Sequence, residues 1–214
     1  CMAHEVDHLG SDPPHGHMSP WEEIALWRKT QRQRLRAARD GLSVQQRQVI
    51  GAALCGHVTD LVSRRFPEMA GRVFSGYWPI KGEADLRPLM RDLHASGARV
   101  ALPVVETKAA PLVFRRWTPE TRMARGDWNI PVPPADAEEL TPDVALAPLV
   151  GWDGAGFRLG YGGGYFDRTL AALAPRPFTI GVGFQSSRLE TIYPQPHDIP
   201  LDAIVTEAGV QVLR

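Results

Sequence analysis

The sequence predicts an α/β fold, with a largely parallel central sheet flanked by helices in a single compact domain that starts with an N-terminal helical pair. Three observations support this prediction. Short apolar runs typical of buried strands alternate along the chain with segments of helical periodicity. The 214 residues are 43% hydrophobic and 22% charged, which suits one sizeable core. The 20 glycines and 19 prolines exceed the usual share and indicate many loops.

The chain is predicted to start with a tail followed by two helices. Residues 1–20 combine histidines, acids and prolines with almost no periodic apolar pattern, which is typical of a mobile tail. The α/β domain then covers residues 21–214. Two glutamates at a suitable start predict a helix over 21–39, and a capping-box spacing predicts a second helix over 44–64. The short break between these helices predicts that they form an antiparallel pair.

The remaining elements alternate between strands and helices. The apolar run at residues 73–78 predicts the first strand, and apolar residues at helical spacing predict a helix over 86–96. Another helix is predicted near 165–174. Further strands are predicted at residues 98–105, 112–117, 143–149, 178–184 and 203–206. The polar, proline-rich stretch 118–142 is long for a routine connection, and it predicts a lid or a substrate wall.

Composition and charge argue against several classes of protein. Lys plus Arg and Asp plus Glu each number 24, so the chain lacks the global positive charge of a dedicated nucleic-acid binder. No apolar run approaches the ~18 residues of a membrane-spanning helix. Residues 1–27 hold neither a cation nor an apolar segment, so we expect no secretory signal and a cytoplasmic location. Two cysteines are too few for a disulfide framework.

The most informative segment is the glycine-rich loop within residues 158–168, which lies between an apolar strand and a short amphipathic helix. Its glycines can adopt positive φ and let backbone N–H groups approach an anion, while the following helix presents its positive end. A dinucleotide fingerprint is excluded because Tyr165 stands where a small residue is needed, and no Walker sequence occurs. A flexible turn would explain the glycines, but not the flanking Arg158, Asp167 and Arg168. We therefore interpret the loop as a polyphosphate site.

A strongly basic stretch lies on the first predicted helix. Residues 28–39 carry six cations and no acid, and Arg28, Arg32 and Arg36 recur at intervals of four on one face. This face repels itself unless an anion lies against it, and guanidinium groups suit phosphate oxygens. A nucleoside triphosphate and RNA are the two functional interpretations. A solvated helix face remains an equally open alternative.

Two acidic residues are candidate ligands for a metal ion. Asp167 closes the glycine loop, and Asp198 follows a predicted strand. Carboxylates near a phosphate site suit Mg²⁺, which takes one or two of them and completes its octahedron with water and phosphate oxygens. The alternatives are a helix-capping role for Asp167 and a turn-forming role for Asp198.

The chain resembles the 5-formyltetrahydrofolate cyclo-ligases, also called 5,10-methenyltetrahydrofolate synthetases. The resemblance extends over residues 28–207 and rests on four segments in the same order: Pro79 with Glu83 and Asp85, Trp128–Pro131, Arg158–Arg168, and Pro194 with His197 and Asp198. It implies an enzyme that binds MgATP and 5-formyltetrahydrofolate and forms 5,10-methenyltetrahydrofolate, ADP and phosphate. A phosphorylated formyl group, an imidoyl phosphate, is the implied intermediate.

The same resemblance implies a set of site residues and binding partners. ATP would be bound by the basic helix and the glycine loop, through Arg28, Lys29, Arg32, Arg158, Leu159, Gly160, Tyr161, Gly162, Gly163, Gly164, Tyr165 and Phe166. The catalytic residues among these would be Arg158 and Tyr165. The folate would contact Trp78, Glu83, Trp128, Tyr161 and Tyr165, and Mg²⁺ would be held by Asp167 and Asp198. We expect a monomer with small-molecule substrates and with neither a membrane nor a nucleic-acid partner.

Two alternative functions follow from particular residues. Phe166 stands where the family usually has a second tyrosine, and Ser187 aligns with the usual glutamine. These departures fit a paralogue that binds nucleotide but has lost folate turnover. The second alternative is an RNA-binding module that uses the basic helix 28–39. The neutral total charge disfavours it, and it leaves the glycine loop unexplained.

Overall fold

The computed structural model describes residues 19–214. The predicted tail therefore lies outside the described residues except for Ser19 and Pro20, which open the first helix. The helices are α1 (Pro20–Asp40), α2 (Val44–Arg65), α3 (Arg87–Ala95) and α4 (Tyr165–Ala172). These bounds agree with the sequence prediction to within two residues at each end. Within residues 19–214, none of the helices combines the length and apolar character needed to cross a membrane.

Both long helices begin with a capping box. Ser19 and Ser43 each accept a hydrogen bond from the backbone N–H three residues later, through Glu22 and Gln46 respectively. The side chains of Glu22 and Gln46 accept the N–H of the capping serine in return. These reciprocal bonds satisfy backbone donors that a helix start would otherwise leave without partners. The capping box at Ser43 is the one that the sequence predicted, and the one at Ser19 adds to the glutamates that predicted the start of α1.

Residues 19–214 also form twelve short strands and two 3-10 helices, Asp127–Asn129 and Gln185–Ser187. The strands are β1 (Val73–Ser75), β2 (Arg99–Val104), β3 (Val113–Trp117), β4 (Ala124–Arg125), β5 (Pro131–Val132), β6 (Val144–Pro148), β7 (Gly151–Asp153), β8 (Arg158–Leu159), β9 (Phe178–Val182), β10 (Arg188–Leu189), β11 (Ala203–Thr206) and β12 (Gly209–Leu213). Seven of them form one sheet in the order β12-β11-β9-β6-β1-β2-β3. The β11-β9-β6-β1-β2 pairings are parallel, and β3 and β12 add antiparallel edges. The predicted largely parallel sheet is confirmed.

The sheet has a helix-covered core on each face. Along β6, Val144 and Leu146 belong to the cluster under α2 and α3, whereas Ala145 and Ala147 belong to the cluster under α4. This alternation follows from the two-residue period of a strand. Because both faces are buried, the strand reads as a continuous apolar run in the sequence.

The two N-terminal helices form as predicted, but they do not pack mainly on each other as the predicted antiparallel pair would, because each packs on a different core cluster. Helix α2 contributes to the main core through Leu54 and Val58. Helix α1 instead buries Leu35 against Val150 and Leu159, beside the small sheet β10-β7-β8. This docking brings the basic face of α1 to the strand that precedes the glycine loop.

Several features differ from the sequence prediction. The 73–78 run pairs only at Val73–Ser75, because Tyr77 turns away and donates its hydroxyl to the carbonyl of Ala84 at 2.9 Å. Six strands were not predicted: β4, β5, β7, β8, β10 and β12. The first five contain two or three residues each and are too short to show a period, and β12 is a half-exposed edge strand. The stretch 118–142 contains the β4–β5 pair, and its Leu140 is buried.

Candidate active site

The glycine-rich loop opens into a cavity of about 670 Å³. Its walls come from α1, the segment after β1, the turn between β4 and β5, the loop 160–164 with the start of α4, and residues 197–198. Pro148, at the carboxyl end of β6, also lines it. Ligand sites of parallel sheets commonly lie beyond this end of the strands. The cavity is therefore in the position that the fold favours for a binding site.

The loop itself has the geometry of an anion site. Gly162 has φ 99° and Gly164 has φ 68°, which are backbone conformations that a side chain would strain. Gly164 is also the N-cap of α4 and offers no side-chain hydrogen bond to the first turn. The N–H groups of that turn have no acceptor within the helix, so they can donate hydrogen bonds to a bound anion.

Two arginines from different parts of the chain converge on the loop. Arg32 of α1 donates its Nε to the carbonyl of Gly160 at 2.6 Å. Burial lowers the pKa of Arg32, and the positive charges of Arg28 and Arg158 lower it further. Cations held this close together repel one another unless an anion lies between them. The arrangement predicts that a polyanion bound in the cavity relieves this repulsion.

Arg158 is a partly buried cation of the site whose Nε atom is enclosed. Its guanidinium lies 4.8 Å from the centroid of the Phe166 ring, and its Nε has no hydrogen-bond partner within residues 19–214. Burial lowers the pKa of Arg158, and the charges of Asp167 and Asp198 oppose that effect. A buried N–H without a partner is unfavourable. A phosphate oxygen bound beside Arg158 would satisfy it.

Asp198 is held by a nearly buried ion pair with Arg28. The Arg28 Nη2 lies 2.5 Å from Asp198 Oδ2, and the two side chains are 7% and 9% exposed. Burial alone would raise the pKa of Asp198, but hydrogen bonds from Arg28 and from the N–H of Gln195 lower it below its ordinary value. Arg28 also donates to the carbonyls of Ile192 and Tyr193. The pair fixes α1 against the segment that carries Asp198.

The two candidate metal ligands lie at adjoining points of the cavity. Asp167 Oδ1 accepts the N–H of Ile199, which is the residue after Asp198, at 3.1 Å. Within the described part of the chain there is no group of three or more His, Cys, Asp or Glu side chains that could hold a metal ion. Mg²⁺ bound to a polyphosphate needs only one or two protein carboxylates. Asp167 fits that requirement with its other oxygen, whereas Asp198 fits it only if Arg28 releases one of the Asp198 oxygens.

An aromatic wall faces the glycine loop. Trp128 lines the cavity, and its ring meets that of Tyr165 edge to face with centroids 6.0 Å apart. Trp128 is 68% exposed and has φ 53°, so an unusual backbone turn presents a large apolar ring to the solvent-filled space. Ile80 and Ile130 add apolar surface to the cavity. Such a wall suits a flat heteroaromatic ligand.

The cavity includes most of the residues singled out in the sequence, but not all of them. Its lining contains Arg28, Arg32, Trp128, Arg158, Gly160, Tyr161, Gly162, Gly163, Gly164, Tyr165, Phe166, Asp167 and Asp198. Lys29 is exposed and lies outside the lining, and Leu159 is a buried core residue. Trp78 packs against the main core with Arg87 over its ring. Glu83 lies outside the lining but contacts the loop, because it accepts a hydrogen bond from the Tyr161 hydroxyl.

Other lining residues were not singled out in the sequence. Trp21 and Ala25 of α1 line the cavity and share the helical face of Arg28 and Arg32. Their spacing could have identified them, because they lie three and seven residues before Arg28 on the same helical face. Lys81 also lines the cavity, but no local pattern marks it because its position depends on how the segment after β1 folds back.

Fold and cavity together define an α/β protein whose candidate site combines a glycine loop at a helix start with an aromatic wall, features that suit a phosphate group and a flat heteroaromatic group. The chain belongs to the 5-formyltetrahydrofolate cyclo-ligase family, whose sequence model matches residues 25–207. The resemblance drawn from the glycine loop is thereby confirmed.

Individual relatives agree with the family. The chain is 30% identical over 182 residues to the 5-formyltetrahydrofolate cyclo-ligase of Escherichia coli, which covers 82% of this chain and 98% of the relative. It is 34% identical over 155 residues to that of Mycolicibacterium smegmatis, covering 69% and 80% of the two chains. The solved structure of Aquifex aeolicus 5,10-methenyltetrahydrofolate synthetase matches with a TM-score of 0.73 and 29% identity over 87% of this chain and 93% of that one.

Proposed function

We propose that the chain catalyses the ATP- and Mg²⁺-dependent conversion of 5-formyltetrahydrofolate to 5,10-methenyltetrahydrofolate, with release of ADP and phosphate. One observation carries the proposal: the basic face of α1, the glycine loop and Asp198 meet at one cavity, with Arg32 bonded to Gly160 at 2.6 Å and Arg28 to Asp198 at 2.5 Å. A remote α1 would have left no common site for a triphosphate and a second substrate. Family membership supports the same reaction.

The reaction asks mainly for positioning and charge neutralisation. The formyl oxygen attacks the γ-phosphorus, the bond to ADP breaks, and nitrogen 10 of the folate then attacks the activated formyl carbon. Nitrogen 10 loses its proton, the five-membered ring closes, and phosphate leaves. Phosphoryl transfer needs no protein nucleophile, since its rate depends on alignment and on stabilising the charge of the transferred group.

Each part of the cavity has a role in this chemistry. The N–H groups of the loop and of the first turn of α4 would bind phosphate oxygens. Arg32 and Arg158 would neutralise the charge that develops on the transferred phosphoryl group, the latter through its otherwise unsatisfied Nε. Asp167 and, once freed from Arg28, Asp198 would hold Mg²⁺, which screens the phosphate charges when bound. Trp128 and Tyr165 would border the pterin and its formyl group.

The structure also bears on the two alternative functions. Arg28 is buried and Arg32 half-buried at the cavity, so this face of α1 is not an open surface for RNA. Phe166 supports the Arg158 guanidinium with its ring, a contact that needs no hydroxyl. These observations favour the cyclo-ligase over both the RNA-binding module and the inactive paralogue.

The test is the absorbance rise of 5,10-methenyltetrahydrofolate in the presence of ATP and Mg²⁺. We expect the wild-type protein to show the rise only when both are present, and Arg158→Ala to lower kcat about 10²- to 10³-fold. Arg34→Ala is the matched control, because Arg34 is exposed and its one side-chain hydrogen bond within residues 19–214 goes to Gln31 on its own helix. Absence of any rise with correctly folded wild-type protein would refute the proposed function.

A further inference from the structure

The hydroxyl of Tyr161 joins three separate parts of the chain. Tyr161 belongs to the glycine loop. Its hydroxyl accepts a hydrogen bond from Arg39 Nη2, at the end of α1, at 2.8 Å. It donates to Glu83 Oε1, in the segment after β1, at 2.9 Å. The anion loop is thus bonded directly to the carboxylate that the family resemblance places at the folate.

Glu83 is held by more than this one bond. Its Oε2 accepts the N–H of Ile80 at 3.0 Å, and Ile80 itself lines the cavity. Burial raises the pKa of Glu83, while the Ile80 N–H, the Tyr161 hydroxyl and the charges of Arg39 and Lys81 oppose that rise. Each carboxylate oxygen has a second acceptor position. Glu83 can therefore still accept N–H groups from a ligand while it remains bonded to Tyr161.

The tyrosine and its arginine are both restrained. The Tyr161 ring has the Arg36 guanidinium at 5.5 Å and the Lys81 ammonium at 5.1 Å from its centroid. Arg39 is only 4% exposed, and Gly82, with φ 74°, lies beside its side chain. Burying an arginine is unfavourable unless its guanidinium group is hydrogen-bonded or paired with an acid. Here its described partner is the Tyr161 hydroxyl.

We propose that Arg39 and Tyr161 are positioning residues that couple nucleotide binding at the glycine loop to folate binding at Glu83. The inference rests on the proposed function and goes beyond it, because neither residue needs to take part in the chemistry for the coupling to exist. A nucleotide that orders the loop fixes Tyr161, and Tyr161 then orients Glu83 as an acceptor for pterin N–H groups. The coupling is positive and, since binding free energies are linked, reciprocal.

The experiment measures the dissociation constant of 5-formyltetrahydrofolate by titration calorimetry, with and without a non-hydrolysable ATP analogue and Mg²⁺. We expect the analogue to tighten folate binding to the wild-type protein about tenfold, which is the range of one hydrogen bond to a charged group. In Tyr161→Phe the factor should fall to about two or less, because the bond to Glu83 is lost. Arg39→Met should reduce it as well.

Matched controls separate coupling from general damage. Tyr193→Phe also removes a tyrosine hydroxyl, one that has no hydrogen bond to another residue in the range 19–214, and Arg34→Met removes an exposed arginine of the same helix. Both should keep the wild-type coupling factor. Tyr161→Phe keeps the ring and is the milder change, so it tests the inference even if the buried Arg39→Met variant does not fold.

The outcomes distinguish this inference from the proposed function. Folate and analogue binding that are independent of each other in the wild-type protein would overturn the inference and leave the cyclo-ligase proposal standing. An unchanged coupling factor in Tyr161→Phe would do the same. Folded wild-type protein that binds no folate under either condition would overturn the proposed function, and the inference with it.

Discussion

Replacing Asp198 by asparagine should destabilise the protein by leaving Arg28 buried without a counter-ion. The two side chains are 9% and 7% exposed and their closest atoms are 2.5 Å apart. Removing one partner of such a pair costs about 3–5 kcal/mol. Arg28 keeps the carbonyls of Ile192 and Tyr193 as acceptors, so we expect a smaller cost, about 2–3 kcal/mol. For a chain of this size that lowers Tm by about 4–12 °C.

Two comparisons make this prediction specific. Asp85 forms an ion pair with Arg87 whose side chains are 45% and 38% exposed, so Asp85→Asn should cost less than about 1 kcal/mol. The double variant Asp198→Asn with Arg28→Met should recover part of the loss, since it leaves no uncompensated buried charge. Scanning calorimetry measures all four proteins. Equal Tm values for Asp198→Asn and Asp85→Asn would refute the reasoning.

The pH dependence gives a further check on the same pair. The pKa of Asp198 is lower in the folded protein than its ordinary value because Arg28 and the Gln195 N–H bond to the ionised form. Its contribution to the free energy of unfolding is therefore complete above the ordinary carboxyl pKa and is lost as pH falls through the lowered one. The Tm difference between wild type and Asp198→Asn should shrink in acid. A difference that grows in acid would contradict this sign.

Four further outcomes are expected. Gly56→Ala should raise stability by about 0.5–1 kcal/mol in thermal unfolding, because Gly56 lies within α2 and a Cβ there meets nothing within 4 Å; a lower Tm would contradict it. Gly162→Ala should lower turnover and ATP affinity through strain at φ 99°, and wild-type kinetics would exclude that role. Trp128→Ala should raise KM for the folate about tenfold with KM for ATP unchanged, and the reverse pattern would move the pterin elsewhere. Folate affinity should decrease as the pH is lowered through the pKa of Glu83. Because burial raises that pKa, the decrease should occur at a higher pH than for an ordinary glutamate; affinity that stays constant into acid would argue against Glu83 as an acceptor.

The fold was largely predictable because its signals are local. Two glutamates in the first turn marked the first long helix, and the capping-box spacing of Ser43 and Gln46 marked the second. Strands buried on both faces appeared as continuous apolar runs. The helix after the glycine loop was also marked, by the loop itself. Strands β7, β8 and β10 escaped because two or three residues cannot show a period, and their pairing depends on partners far along the chain.

The candidate site was predictable only in part. Residue types and spacing alone predicted an anion site at the glycine loop, its flanking Arg158 and the basic face of α1. Trp78 and Glu83 came from a family resemblance, and the structure places the first in the core and bonds the second to Tyr161. No pattern in the sequence pointed to Arg39 as a partner of Tyr161, since 122 positions separate them.

The amino-acid sequence by itself determined the four helices, the buried strands of the large sheet and the loop that can approach an anion. Helix capping, apolar periodicity and the conformational freedom of glycine all act over a few neighbouring residues. Tertiary structure alone decided that Arg28 neutralises Asp198, that Arg32 reaches Gly160 and that Tyr161 joins Arg39 to Glu83. Those contacts exist because α1 docks Leu35 on the small sheet, and the free energy of that docking is shared among residues that are distant in the chain.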